Sequence, residues 1–355
     1  MTLTANKGEW SELYVLYCLF ADHKISAADN ELKPTNKFYS FLKIFREDNP
    51  DQPLVYDLEN ENTVVIRGKG LCKEISTLGL SGKTKKIFDK IKIATDTTFS
   101  VVEAENLMQE FLLTKIKANS LEKSDLIATI KDDIVSETEP YGFSIKSQVG
   151  GASTLLNAST SGTNFIYKIS GFHGDKEQIN AIDTRSKVRN RLEKILDTGA
   201  KLEFIGMTSQ VFRENLRTVD SNLPSIIAEM LLNYYLGKGS TIDVLCDLIA
   251  NNIVFDLNKI QIISKIKNFL KIVALGMVPQ TPWNDRLSAY GGYIVVRDDG
   301  QLVCYHLYNE DAFKDYLFNN TKFDTPSSTR HNFGRVYEKN GELFINLNLQ
   351  IRFLH

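Results

Sequence analysis

Two short runs near the middle of the chain restrict its fold more than any other feature. Asp125 opens the β-prone run Leu126-Ile127-Ala128-Thr129-Ile130, and a polar turn at 132–141 follows, with Pro140 in it. Gly142-Phe143-Ser144-Ile145-Lys146-Ser147-Gln148-Val149 then alternates strictly. Successive strand side chains point to opposite faces. Phe143 and Ile145 therefore share one face, and Ser144, Lys146 and Gln148 share the other. The pattern predicts a β-hairpin with one polar, functional face.

The rest of the chain reads as a mixture of helices and strands. Asn6 is placed to cap a helix starting near Gly8. In it Trp10, Leu13, Tyr14, Tyr17 and Phe20 recur at helical spacing, with Glu9 and Glu12 side by side on one flank. Residues 22–37 read as a loop and 38–46 as a short helix. Residues 54–58 and 63–67 read as strands, and 81–93 and 100–118 as helices. A strand is predicted at 165–169, and helices at 180–197, 208–220, 222–236, 240–251 and 258–274. Strands return at 293–297 and 302–307. A last hairpin pairs 335–338 with 343–349 across Asn340-Gly341, a strong turn signal.

These elements predict a mixed α/β protein. Its central sheet is built from 54–67, 125–131, 142–149 and 165–169 and flanked by the N-terminal helix and others. At 355 residues the chain has room for two or three domains or one elaborated one. The expected division is a core at 1–179, a mainly helical region at 180–289 and a β-rich part at 290–355 that contacts the ligand. Cys18, Cys72, Cys246 and Cys304 form no CxxC pair, which argues against a disulfide scaffold or a cysteine-rich zinc site. No apolar run reaches the length of a membrane span and the start lacks a signal-peptide core, so a cytoplasmic location is expected. Net charge is −2, so bulk charge does not announce a nucleic-acid binder. Residues 185–201, with six Lys/Arg against two acids, form a basic stretch able to meet phosphate or simply to solvate a helix face. Gly79-Leu80-Ser81-Gly82-Lys83-Thr84 lacks the first glycine of a phosphate-cradling loop, because position 77 is Thr, so no nucleotide cofactor is expected.

The chemistry-bearing constellation is Asp125, Ser144-Ile145-Lys146 and Glu12. Carboxylates hold a divalent cation, and a nearby lysine either orients an attacking water or neutralises charge on phosphorus. An Asp opening one strand and a Lys on the next bring both groups to one end of a sheet. Mg²⁺ keeps several waters and needs few protein oxygens. Asp125 and Glu12 are the expected ligands, with Glu9 in reserve and Asp132, Asp133 or Glu139 behind it. The plain alternative for Asp125 and Lys146 is a pair of surface residues on a hairpin.

This arrangement resembles the PD-(D/E)xK nucleases. Asp125 lacks the usual preceding Pro, and Ser144 stands where the motif acid belongs, so the second carboxylate must come from elsewhere. Ser144 is then expected to hold a water or the phosphate. The wording of Asn6-Lys7-Gly8-Glu9-Trp10-Ser11-Glu12, Gly142–Gln148, Thr154–Ser159, Thr163-Asn164-Phe165 and Asn340–Phe353 is similar to that of the HpaII-type restriction endonucleases. The resemblance implies a type II enzyme cutting double-stranded DNA with Mg²⁺ at a short palindrome, CCGG in the family's named member. It further implies a cognate methyltransferase in the same system. A palindrome suggests a two-fold homodimer, with a monomer cutting one strand at a time as the alternative. Gln148, Asn157, Ser159, Asn164 and Arg330 are candidates to contact DNA, since amides and Arg can read base edges. The rival for each amide or hydroxyl is a self-bonded turn. The rival for the whole chain is a sequence-specific DNA-binding protein that keeps the fold without cleaving, motivated by the missing acid at Ser144.

Overall fold

The computed structural model describes residues 3–48, 51, 53–117, 124–131, 139–250, 256–306 and 310–354. The chain divides into two compact units, each assembled from separate stretches of sequence. One comprises Met1–Ser153 and Leu287–Tyr316, the other Thr154–Arg286 and Leu317–Leu354.

The first unit is built on a nine-stranded mixed sheet. Its strands are β1 (Lys24–Ala28), β2 (Pro34–Arg46), β3 (Leu54–Asp57), β4 (Thr63–Gly68), β5 (Leu71–Ser76), β6 (Leu126–Lys131), β7 (Tyr141–Ser147), β11 (Gly292–Val296) and β12 (Leu302–His306). Their order is β1-β12-β11-β7-β6-β2-β3-β4-β5, with β1 also paired to β2. The β11–β7 and β1–β12 pairs are parallel and the others antiparallel. Strand β7 thus lies inside the sheet, hydrogen-bonded on both edges.

Helix α1 (Lys7–Asp22) packs on this sheet. It begins where the sequence predicts, with a capping box: the Asn6 side chain accepts from the Glu9 N–H, and the Glu9 carboxylate accepts from the Asn6 N–H. Trp10, Leu13, Tyr17 and Phe20 are buried in one core with Phe143 and Ile145 of β7. The Ser11 hydroxyl donates to the Ser147 hydroxyl at 2.9 Å, fixing the helix against β7 just beside Glu12. Helices α2 (Leu80–Ile93) and α3 (Val102–Glu110) extend the same core.

Two expectations are corrected. Residues 24–28 and 34–46 are strands, not a loop followed by a helix. Pro34 is tolerated as the first residue of a strand, and Tyr39, Phe41 and Ile44 are apolar anchors of β2. The strand at 165–169 belongs to another sheet, while β11 and β12 join the central one. The region 180–289, expected to be mainly helical, holds the strand β10 (Lys201–Met207) beside its helices.

In the second unit, β9 (Asn164–Ser170), β10, β14 (Val336–Lys339) and β15 (Glu342–Asn348) form a sheet ordered β10-β9-β15-β14. Strands β8 (Thr154–Leu156), β13 (Thr321–Phe323) and β16 (Ile351–Phe353) form a smaller one. The turn between β14 and β15 places Asn340 and Gly341 at φ 54° and 76°, the left-handed pair that a tight hairpin requires. Helices α4 (Lys176–Asn180), α5 (Lys187–Leu196), α6 (Gln210–Val219), α7 (Leu223–Tyr235), α8 (Ile242–Ala250) and α9 (Lys259–Leu275) pack in this unit.

Candidate active site

Asp125 terminates the β6–β7 ladder with its own side chain. Its N–H donates to the Phe143 carbonyl at 2.8 Å, and its carboxylate accepts from the Ile145 N–H at 2.8 Å. The Ser144 hydroxyl donates to the same oxygen at 3.4 Å. Gly142 makes this close approach feasible: a Cβ there would lie 2.4 Å from the Ser288 carbonyl and 2.8 Å from the Ser124 Cβ. Ser144 is itself buried. In this structure it therefore serves as a donor orienting Asp125, a role its hydroxyl can fill and a carboxylate could not without repulsion.

Glu12 comes from α1. Its side chain is 16% exposed and that of Asp125 is 10% exposed. Burial above all, then the negative charge of Asp125, pushes the Glu12 carboxyl up to about 7. Two positive groups oppose the rise, first Lys117 and then Lys146. Lys146 lines a cleft of about 560 Å³ with Glu12, Lys7 and Asp96. The structure thus brings Glu12, Asp125, Ser144 and Lys146 into one neighbourhood. Glu9 is committed to the helix cap. Glu139 is exposed, and Asp132 and Asp133 lie outside the described residues.

Two neighbours of this cluster had no signal in the sequence. Lys117 lies 3.4 Å from Glu12 Oε1 and 3.9 Å from Asp125 Oδ1. Desolvation opposes its charged form, but Glu12, Asp125 and Glu9 outweigh that and raise its pKa. Tyr293 on β11 stands in register with Ser144. Its phenol is buried, has no hydrogen-bond partner among the described residues and feels the charge of Asp125. Only the parallel pairing of β11 with β7 brings it there, and local periodicity carries no trace of that pairing.

The donor set fits a hard divalent cation. Two poorly exposed carboxylates repel each other, and Mg²⁺-type ions are held by one or two carboxylates plus water and phosphate oxygens. Among the described residues no group of three His, Cys, Asp or Glu side chains is arranged to hold a metal.

The DNA-contact candidates fall into two groups. Gln148 follows β7, half-buried, with its backbone N–H bonded to Val296. The others lie in the second unit, where two loops are laced together. The Thr160 hydroxyl donates to the Arg330 carbonyl at 3.0 Å, and the Asn164 amide donates to His331 at 3.1 Å. Asn157 and Arg330 have exposed side chains. Asn164 is buried, with both donors spent on Thr160 and His331 and its oxygen accepting from Asn348. The Ser159 hydroxyl binds Gly162 and Gln280. Asn164 and Ser159 thus build the loop platform, and Asn157 and Arg330 project from it. The basic stretch at 185–201 is partly spent internally as well. Arg191 is buried against the carbonyls of Asn180, Ile182 and Gly334, Arg189 pairs with Glu193, and Lys187 pairs with Asp183.

Among the described residues no helix is long and apolar enough to cross a membrane. No solved structure matches the chain. The type II restriction enzyme HpaII of Haemophilus parainfluenzae is 38% identical to it over 360 residues, spanning 99% of both chains. The sequence profile of the HpaII restriction endonuclease family matches residues 6–353. With nearly its whole length matched in both comparisons, the chain belongs to the HpaII restriction endonuclease family.

Proposed function

We propose that this chain is a type II restriction endonuclease that hydrolyses double-stranded DNA at CCGG, using Mg²⁺ held by Asp125 and Glu12. The observation that carries the reading is the meeting of two scarcely exposed carboxylates with two lysines at the end of the β6–β7 ladder, in a chain of this family.

The chemistry supplied by a bound divalent cation is Lewis-acid neutralisation of the charge that builds on phosphorus. The chain's own groups do the rest. Asp125 is locked by the Ile145 N–H and the Ser144 hydroxyl, so its free oxygen keeps one direction. Glu12 is presented by α1, with Lys117 against its carboxylate. The Lys146 ammonium stabilises the non-bridging oxygens as water attacks in line and the 3′ or 5′ oxygen leaves. Asn157, Arg330 and Gln148 approach the bases or backbone from exposed or half-exposed positions. A two-fold homodimer matches a palindromic target, and light scattering of the protein with a cognate duplex reads its stoichiometry. A methyltransferase protecting the same sequence accompanies the enzyme.

The test is digestion of a plasmid of known sequence with and without Mg²⁺, with the fragment ends mapped. Cutting confined to CCGG and abolished by chelation is expected; cutting at another fixed sequence overturns the target and leaves the activity. Ser144 favours a second reading, a DNA-binding protein that does not cleave. Stable, specific binding without cutting in Mg²⁺ or Mn²⁺ would select it.

A further inference from the structure

Lys117 reaches the site through its side chain, from a segment anchored elsewhere. The backbone before it is pinned: the buried Arg46 guanidinium donates to the carbonyls of Lys115 and Ile116. The Asp48 carboxylate, paired with Arg46 at 2.6 Å, accepts the N–H groups of Thr114 at 2.7 Å and Lys115 at 3.0 Å. This anchor delivers Lys117 to the two carboxylates. Its side chain, however, is 48% exposed, far more than those of Glu12 and Asp125. Its contacts of 3.4 and 3.9 Å are loose for a charged pair. The ammonium therefore enters from the solvent side and can withdraw towards solvent on a flexible four-carbon stem.

One ammonium balances half the charge of two carboxylates, whereas a divalent cation balances all of it. The two cannot sit between the same oxygens, since like charges at that separation repel strongly in a partly buried site. We propose that Lys117 is a built-in counter-ion: it pairs with both Glu12 and Asp125 and would have to swing out if these carboxylates held a divalent ion, so that it sets the metal affinity by competition. Released, it is left on its pinned backbone beside the site, with its charge free for a phosphate. The proposal rests on Glu12 and Asp125 forming the cation site.

The experiment is calorimetric titration of Mn²⁺ into the full-length, metal-free protein, in wild type and in Lys117→Met, Lys117→Gln, Lys117→Arg and Glu12→Gln variants. Melting temperatures are read with and without the ion. Removing the competing charge is expected to tighten Mn²⁺ binding about tenfold in both neutral variants, about 1.4 kcal/mol, while Lys117→Arg stays near wild type. The metal-free neutral variants should melt lower than wild type and gain more on adding Mn²⁺, because their carboxylates lose a partner. The Met and Gln variants guard each other against a failure to fold. Wild-type or weaker Mn²⁺ binding in the neutral variants, with Glu12→Gln impaired, overturns the counter-ion role and leaves the site standing. Absence of binding in every protein, or a Glu12→Gln variant that binds as wild type does, overturns the site and the proposal together.

Discussion

Two carboxylates held at low exposure within each other's field cost free energy, and the sign of that cost is measurable. The folded-state pKa of Glu12 is about 7, against an ordinary value of 4.5. Between those values the folded, metal-free protein holds a proton that the unfolded chain lacks. This contribution to stability is complete below about pH 4.5 and disappears as pH rises through 7. Melting temperatures of metal-free protein should therefore fall across that window, and Glu12→Gln should flatten the slope; an unchanged slope would place Glu12 in water. Tyr293 makes a second case. A buried hydroxyl without a partner costs about 1–3 kcal/mol, so Tyr293→Phe should unfold at equal or higher denaturant. If the phenol serves Asp125, the same variant should still cleave more slowly. The grouping of Asp125, Ser144, Lys146 and Glu12 into one candidate site was legible in the sequence, because each sits in a short, strongly patterned run. Lys117 and Tyr293 were not, because an irregular segment and a parallel strand distant in sequence bring them in.

At the scale of elements, helices with a capping signal and hairpins with a turn signal were readable, α1 and the Asn340-Gly341 turn above all. Strands β1 and β2 were not. Their residues are polar or irregularly spaced, and their identity comes from pairing with β12 and β6, partners distant in sequence. The same non-local pairing moved β9 out of the central sheet and brought β11 and β12 into it. Two substitutions test how elements position the site. Asn6→Ala removes the capping box and should cost about 1 kcal/mol by denaturant titration, loosening the first turn of the helix that carries Glu12. Gly142→Ala forces a methyl against the Ser288 carbonyl and Ser124. It should destabilise the protein and lower cleavage together, because Ser124 directly precedes Asp125. Normal cleavage in Gly142→Ala would show that the close approach there has no part in placing the carboxylate.

Across the whole molecule, both compact units are discontinuous in sequence. The site residues named as catalytic fall within the first unit, and the loops bearing Asn157 and Arg330 within the second. Under the proposed function the cutting groups belong to the first unit and the reading groups Asn157 and Arg330 to the second, with Gln148 the exception. Lesions at Asp125, Glu12 or Lys146 should spare DNA binding, and lesions at Arg330 should weaken it. The most direct measurement is single-turnover cleavage of a cognate duplex in Mg²⁺ by wild type and by Asp125→Asn, Glu12→Gln and Lys146→Ala, with duplex affinity measured in parallel in Ca²⁺. A loss of at least about 10²-fold in rate is predicted for each variant, the scale of removing one group that stabilises transition-state charge, with affinity kept within about tenfold. Wild-type rates in Asp125→Asn or Glu12→Gln would contradict it.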